Sequence, residues 1–178
     1  MPKHIRLDGQ GARLVDDRFT DVADDAPAPK GDIILSLTRY QAEGEALLAD
    51  GRDIGVRITP DESIDDLAYD LPRIPLVVLV FAKFRDGRPY SSARLLRERY
   101  GFTGEIRAVG EVLREQAQFM VRCGFDAFEP ADGSTPEQWV QAAGRFRHVY
   151  QRASDDREPV FVERGGAQSG GNHGLRRG

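Results

Sequence analysis

The only long unbroken apolar run in this chain is Leu76-Val77-Val78-Leu79-Val80-Phe81. A run of that length without alternation predicts a strand buried on both faces, as in the middle of a parallel sheet. Around it, short apolar blocks alternate with helical stripes. Ile33, Ile34, Leu35 and Leu37 predict a strand over 32–37, followed by a helix over 41–49 that Asp50-Gly51 ends. Ile54, Val56 and Ile58 alternate with Gly55 and Arg57, the pattern of a strand with one half-exposed face. Ile64, Leu67, Ala68 and Leu71 recur at i, i+3, i+4 and i+7. They predict an amphipathic helix, capped by Asp61 or Ser63 and stopped by Pro72 and Pro75. A helix over 91–100, a strand over 105–109, a helix over 111–123 ended by Gly124 and a short strand over 126–128 continue the rhythm. Thr135-Pro136-Glu137-Gln138 has the form of a capping box, opening a last helix with Trp139, Ala143, Phe146 and Tyr150 as its inward stripe.

Strand and helix therefore alternate, which implies parallel strands joined by right-handed crossovers. The expectation is one α/β core domain over 31–150 with about five parallel strands in βα repeats, arranged as an open sheet or a partial barrel. Ahead of it, Ile5 and Leu7 followed by Leu14, Phe19 and Val22 predict a β-hairpin over 5–22, with Asp8-Gly9 as the turn signal. The hairpin reads as an appendage, and 23–30, with Asp24, Asp25, Pro27 and Pro29, as a linker. Residues 151–178 read as a C-terminal extension with a short strand over 158–163. After 164 it is Gly-rich and polar, the composition of a disordered tail.

Composition narrows the function classes. The 178 residues are 40% apolar and 30% charged, ordinary for a globular domain. A net charge of −4 argues against a nucleic-acid partner. No 18-residue apolar run offers a membrane span, and the first residues, Met1 to Arg6, lack an apolar signal core, so a cytoplasmic protein is expected. Cys123 is the only cysteine, and His4, His148 and His173 have no metal-ligand spacing, so no metal site is expected. No Gly-x-Gly-x-x-Gly follows the first βα strand, and the sequence leaves any cofactor unknown.

In parallel α/β folds ligands bind beyond the carboxyl ends of the strands. The longest polar loop there is Lys83 to Ser92. It places Arg88 and Tyr90 just before Ser91 and Ser92 at an expected helix start, where free N–H groups, hydroxyls and a guanidinium suit an oxyanion. Arg107 falls inside the expected fourth βα strand. A charge there needs a partner, with Glu105, Asp86 or Glu129 as candidates, or else it points into the same pocket. The candidate anion site is thus Arg88, Tyr90, Ser91, Ser92 and Arg107, with Asp86 and Glu111 in support. Against it stands the plainer reading of a serine cap, surface ion pairs and a buried salt bridge.

The segments Phe81 to Arg97, Gly104 to Gly110 and Cys123-Gly124-Phe125-Asp126-Ala127-Phe128 resemble a bacterial family of unknown function. That family is described as oxidoreductases involved in sulfite reduction. The resemblance covers Asp32 to Tyr150, and Lys83 departs from the smaller or proline-like residue expected before the Phe-x-Asp-Gly-Arg run. It implies a place in assimilatory sulfate reduction, since members are encoded beside the sulfite reductase haemoprotein and phosphoadenylyl-sulfate reductase. Two functions stand as expectations. One is an accessory protein that binds a partner reductase or a sulfur oxyanion. The other is an enzyme, of an oxidoreductase kind, acting on a small anionic sulfur substrate. No catalytic residue carries over from the resemblance.

Overall fold

The computed structural model describes residues 3–8 and 11–144. Eight strands form one open, curled sheet, a half-barrel, in the order β2-β1-β8-β7-β6-β5-β4-β3. The strands are β1 Lys3–Asp8, β2 Gly11–Asp16, β3 Thr20–Asp21, β4 Ile33–Ser36, β5 Ile54–Ile58, β6 Leu76–Phe81, β7 Glu105–Gly110 and β8 Ala127–Phe128. From β3 to β8 every neighbouring pair is parallel and sequential in the chain. Sequential order with right-handed crossovers puts every connection on one face of the sheet. The helices are α1 Leu37–Ala49, α2 Arg88–Arg94, α3 Ala117–Cys123 and α4 Pro136–Ala143.

The expected run Leu76–Phe81 is β6, between β5 and β7 in the middle of the sheet. Val77, Leu79 and Phe81 enter the main core with Ile33, Leu35, Ile54, Val56, Ile58, Ile106 and Ala108, beneath the helices. Leu76 and Val78 face the other way and pack with Phe19 and Ile34. Both sides of β6 are buried, which is why it carries no alternation. Gly55 lies between Ile34 and Leu76 in register on the helix-free face. A Cβ there would press on both side chains, so glycine keeps the strands apposed.

Three expectations change. The hairpin is not an appendage: β1 pairs antiparallel with β8 and extends the same sheet. Phe19 and Val22 leave the hairpin and flank β3, a sixth parallel strand at the far edge. The stripe Ile64–Leu71 forms not an α-helix but two tight 3₁₀ turns, Ile64–Leu67 and Leu71–Arg73. It is short, and Pro72 lacks the N–H that a continuing helix needs. Phe146, Tyr150, the strand over 158–163 and the tail after 164 lie outside the described residues.

The hairpin and β3 bring about the curl. Asp16 ends β2 at one edge and Thr20 begins β3 at the other. Across a flat eight-stranded sheet the edges stand about 34 Å apart at ~4.8 Å per strand. Four residues reach at most about 14 Å. The sheet therefore wraps toward its helix-free face, and residues 17–19 strap across that face.

At the end of β7, Gly110 has φ +91°, and a Cβ there would strike the Phe81 carbonyl oxygen. That oxygen accepts the Glu111 N–H at 2.8 Å. Gly110→Ala is expected to lower stability by about 2 kcal/mol or more, combining left-handed strain with a backbone collision. Gly133, at φ +65° with open space around it, should cost about 1 kcal/mol in the same substitution. Urea unfolding of the two variants checks the difference.

Candidate functional site

At the carboxyl end of β6 the chain makes a loop, residues 82–87, before α2. The helix starts at Arg88, with Pro89 in its first turn and Gly87 at the cap. The expected start at Ser91 is therefore corrected: Ser91 and Ser92 sit inside α2, where their N–H groups belong to the helix ladder. Pro89, whose fixed φ suits the first turn, was the signal for the earlier start.

Arg88 is bound by carboxylates on both sides. Its Nε and Nη2 donate to Asp86 at 3.0 and 2.8 Å, and its Nη1 donates to Asp61 at 2.6 Å. Hydrogen bonds from the Arg88 side chain and backbone hold the Asp86 carboxyl below its ordinary range. Asp86, expected in support of an anion site, is itself the partner of Arg88, and Asp61, read from sequence as a cap candidate, is the second partner.

Arg107 projects from β7 onto the helix-free face, 1% exposed. Its Nη1 and Nη2 donate to Asp17 at 2.5 and 3.2 Å, its Nε donates to Glu105 at 3.0 Å, and Glu129 stands 3.5 Å away. Burial works against the charge, but Asp17 and Glu105 outweigh it and keep the guanidinium protonated. Glu105 and Glu129 were candidate partners from sequence; Asp86 belongs to Arg88 instead. Asp17, on the strap, gave no signal, because it is 90 residues from Arg107 in the chain. Arg88 and Arg107 thus have separate carboxylates and no partner in common.

His4 completes the buried cluster. It is 4% exposed, with Nε2 3.7 Å from Glu105 and no hydrogen-bond partner on either ring nitrogen. Burial pushes its pKa below the ordinary 6.5, and Arg107 adds to that.

Glu111 does not open a helix; it follows Gly110 and reaches back to the loop. Its carboxylate accepts the Phe84 N–H at 2.9 Å, and Gln116 Nε2 donates to the Phe84 carbonyl at 3.1 Å. One residue of the loop is thereby held by both of its peptide groups, and its ring is left 41% exposed. Tyr90, half-buried, packs edge-on against Phe81 at 5.1 Å and against Phe119 at 4.7 Å, with Phe119 itself 50% exposed. Burial, chiefly, raises the Tyr90 hydroxyl to about 12, so it stays a neutral donor at physiological pH. Phe84 and Phe119 escaped the sequence reading because an isolated exposed aromatic is invisible to periodicity.

The remaining chemistry is structural. Cys123 is buried at the end of α3, and burial raises its thiol pKa, which makes it a poor nucleophile. Arg97, in the helical segment Leu95–Arg99 that follows α2, donates to the carbonyls of Gly124, Phe102 and Gly104 and to Asp126, tying that segment to the starts of β7 and β8. An open cleft of about 660 Å³ lies at the amino ends of β5, β6 and β7, between Arg73, Pro75 and Phe102. No group of His, Cys, Asp and Glu among the described residues is arranged to hold a metal ion. No helix of the described residues is long and apolar enough to cross a membrane.

The fold and this rim define a singly wound α/β half-barrel whose carboxyl end presents pinned aromatic side chains. Residues 55–161, from β5 onward, match the family described as bacterial protein of unknown function (DUF934), and the chain belongs to that family. No curated protein matches the chain.

Arg107→Ala is expected to cost about 3–5 kcal/mol, since it strands buried carboxylates, whereas Arg88→Ala, which removes an exposed guanidinium, should cost about 1 kcal/mol or less. Chemical denaturation separates them. Acid supplies a second check. His4 has a lowered folded pKa and faces Arg107, Arg6, Glu105 and Asp17. Below 6.5 the unfolded chain takes up a proton that the folded chain resists, so stability falls as pH drops through that value. Glu129 and Asp126, whose pKa values burial raises, act in the opposite sense. The loss of melting temperature between pH 7.5 and 5.5 should therefore be smaller in His4→Gln than in the wild type.

Proposed function

We propose that this is a cytoplasmic accessory protein of assimilatory sulfite reduction that acts by docking onto a partner reductase. The pathway comes from the family resemblance. The choice of a protein partner over a free sulfur oxyanion is supported by one observation: both candidate arginines already have their carboxylates. Arg107 is surrounded by Asp17, Glu105 and Glu129, and Arg88 by Asp86 and Asp61. A sulfite or sulfate ion would have to displace an intramolecular carboxylate and enter a field of negative charge. The rim offers what an interface uses instead, half-exposed aromatic rings on a fixed backbone.

The purified protein, mixed with the sulfite reductase haemoprotein or with phosphoadenylyl-sulfate reductase, is expected to co-elute with one of them in gel filtration. Calorimetric titration with sulfite, sulfate and phosphate is expected to give no heat beyond dilution. Saturable oxyanion binding without a complex would overturn the docking reading. Turnover of a sulfur compound by the protein alone would establish the enzymatic alternative.

A further inference from the structure

The outer surface of α2 and α3 has a composition unlike the rest of the molecule. Among the described residues six large apolar side chains are markedly exposed, and three of them border this surface: Phe84 at 41%, Leu95 at 38% and Phe119 at 50%. Two of them, Phe84 and Phe119, are linked through Gln116. Gln116, which holds the Phe84 carbonyl, lies one turn before Phe119 on the same helical segment. Tyr90 on α2 packs against Phe119. Arg94, the last residue of α2, and Leu95, Glu98 and Arg99 of the π-helical segment Leu95–Arg99 that continues it line an open groove with Ser91.

The charge pattern is equally distinct. Residues 83–99 carry six Lys/Arg against Asp86 and Glu98, in a chain whose net charge is −4. Arg88 and Arg97 are occupied by carboxylates and carbonyls. Lys83 and Arg85, on the pinned loop beside Phe84, have no carboxylate within ion-pair distance among the described residues, and both are exposed. A basic, aromatic patch on an acidic protein selects a partner of opposite charge, and Arg and aromatic residues are the side chains enriched where protein interfaces concentrate their binding energy.

We infer that Phe84, Tyr90, Phe119 and Leu95, with Lys83 and Arg85 at their margin, form the surface that receives an acidic, apolar-centred face of a protein partner. This rests on the docking function proposed above and assigns it a location. Glu98, exposed within the patch, favours a protein over a lipid surface, because a protein face can set a cation against it whereas anionic headgroups repel it.

The test uses the full chain and the reductase that co-elutes with it. The affinity of the wild type is compared with that of a Phe84→Ala/Phe119→Ala variant and a Lys83→Glu/Arg85→Glu variant, in low and high salt. Melting temperatures confirm that both fold, as exposed side chains allow. Each variant is expected to lose about tenfold or more in affinity, a magnitude typical of interface anchors. The charge-reversed variant should also lose the salt dependence. Tyr69→Ala, 98% exposed beside the amino-end cleft, should bind as the wild type does. A wild-type complex that both variants form equally well would overturn this surface and leave the docking function standing. Absence of any wild-type complex would overturn both. Binding to vesicles of phosphatidylserine and phosphatidylcholine that is abolished in the Phe84/Phe119 variant would assign the patch to a membrane and overturn the protein partner.

Discussion

The fold depends on one buried ion cluster. The strap from β2 to β3 crosses the helix-free face, and what holds it is the pairing of Asp17 with Arg107 through both terminal nitrogens of the guanidinium. Glu105, two residues earlier on β7, binds the same guanidinium and also meets Arg6 of β1. A single arginine therefore joins the central sheet, the antiparallel edge and the strap. Phe19, next but one to Asp17, seals the face over Ile34, Leu76 and Val78. Arg18, between them, reaches Asp32 and Asp53 at the starts of β4 and β5. Charge alone does not make such a cluster stabilising, because desolvation consumes most of the attraction. Its contribution is registration: it permits one curl of the sheet and one path for residues 17–19.

That arrangement determines where function has room. In a closed barrel the axis can lead to a site at the carboxyl end of the strands. Here the strap occupies the interior, and the charges that reach it are paired with one another. Outside, on the loop after β6 and on the helical segments that follow, stand Lys83 and Arg85 and the exposed rings of Phe84 and Phe119. The division places the buried ion cluster on the helix-free face and the packed rings of Tyr90 and Phe119 on the helical one.

How much of this was legible follows from what periodicity records. Leu76–Phe81 could be read as a central strand because burial on both faces writes itself directly into the sequence. The box at Thr135 was equally plain, since Thr135 and Gln138 bond each other's backbone as the pattern requires. The stripe from Ile64 to Leu71 misled because two successive tight turns bury Ile64, Leu67 and Leu71 as well as a helix does. Arg107 announced that it needed a partner, and Glu105 and Glu129 were named, but Asp17 is a long-range contact with no local mark. Arg88 and Arg107 looked like one site because both were placed toward the carboxyl ends. Their separation onto opposite faces is a matter of strand parity: Arg107 shares its side with Val78, and α2 lies over Val77, Leu79 and Phe81.

The same parity explains why the rim is rigid. Phe81 ends β6 facing the helices, and its ring meets Tyr90 and Phe125, which continues to Phe128 and the stacked Trp139. The exposed Phe119 is thus the last ring of a packed aromatic series reaching α4. Phe84 is fixed by a different device, two side chains of the segment after β7 holding its peptide groups. Gly110 is required for that, because only a left-handed residue lets the chain turn so close to Phe81 that Glu111 can reach the loop. Ordering a loop on binding consumes affinity. Here the rings are set during folding, by the core and by the two hydrogen bonds to the Phe84 peptide groups, so the docking proposed above would not have to order them.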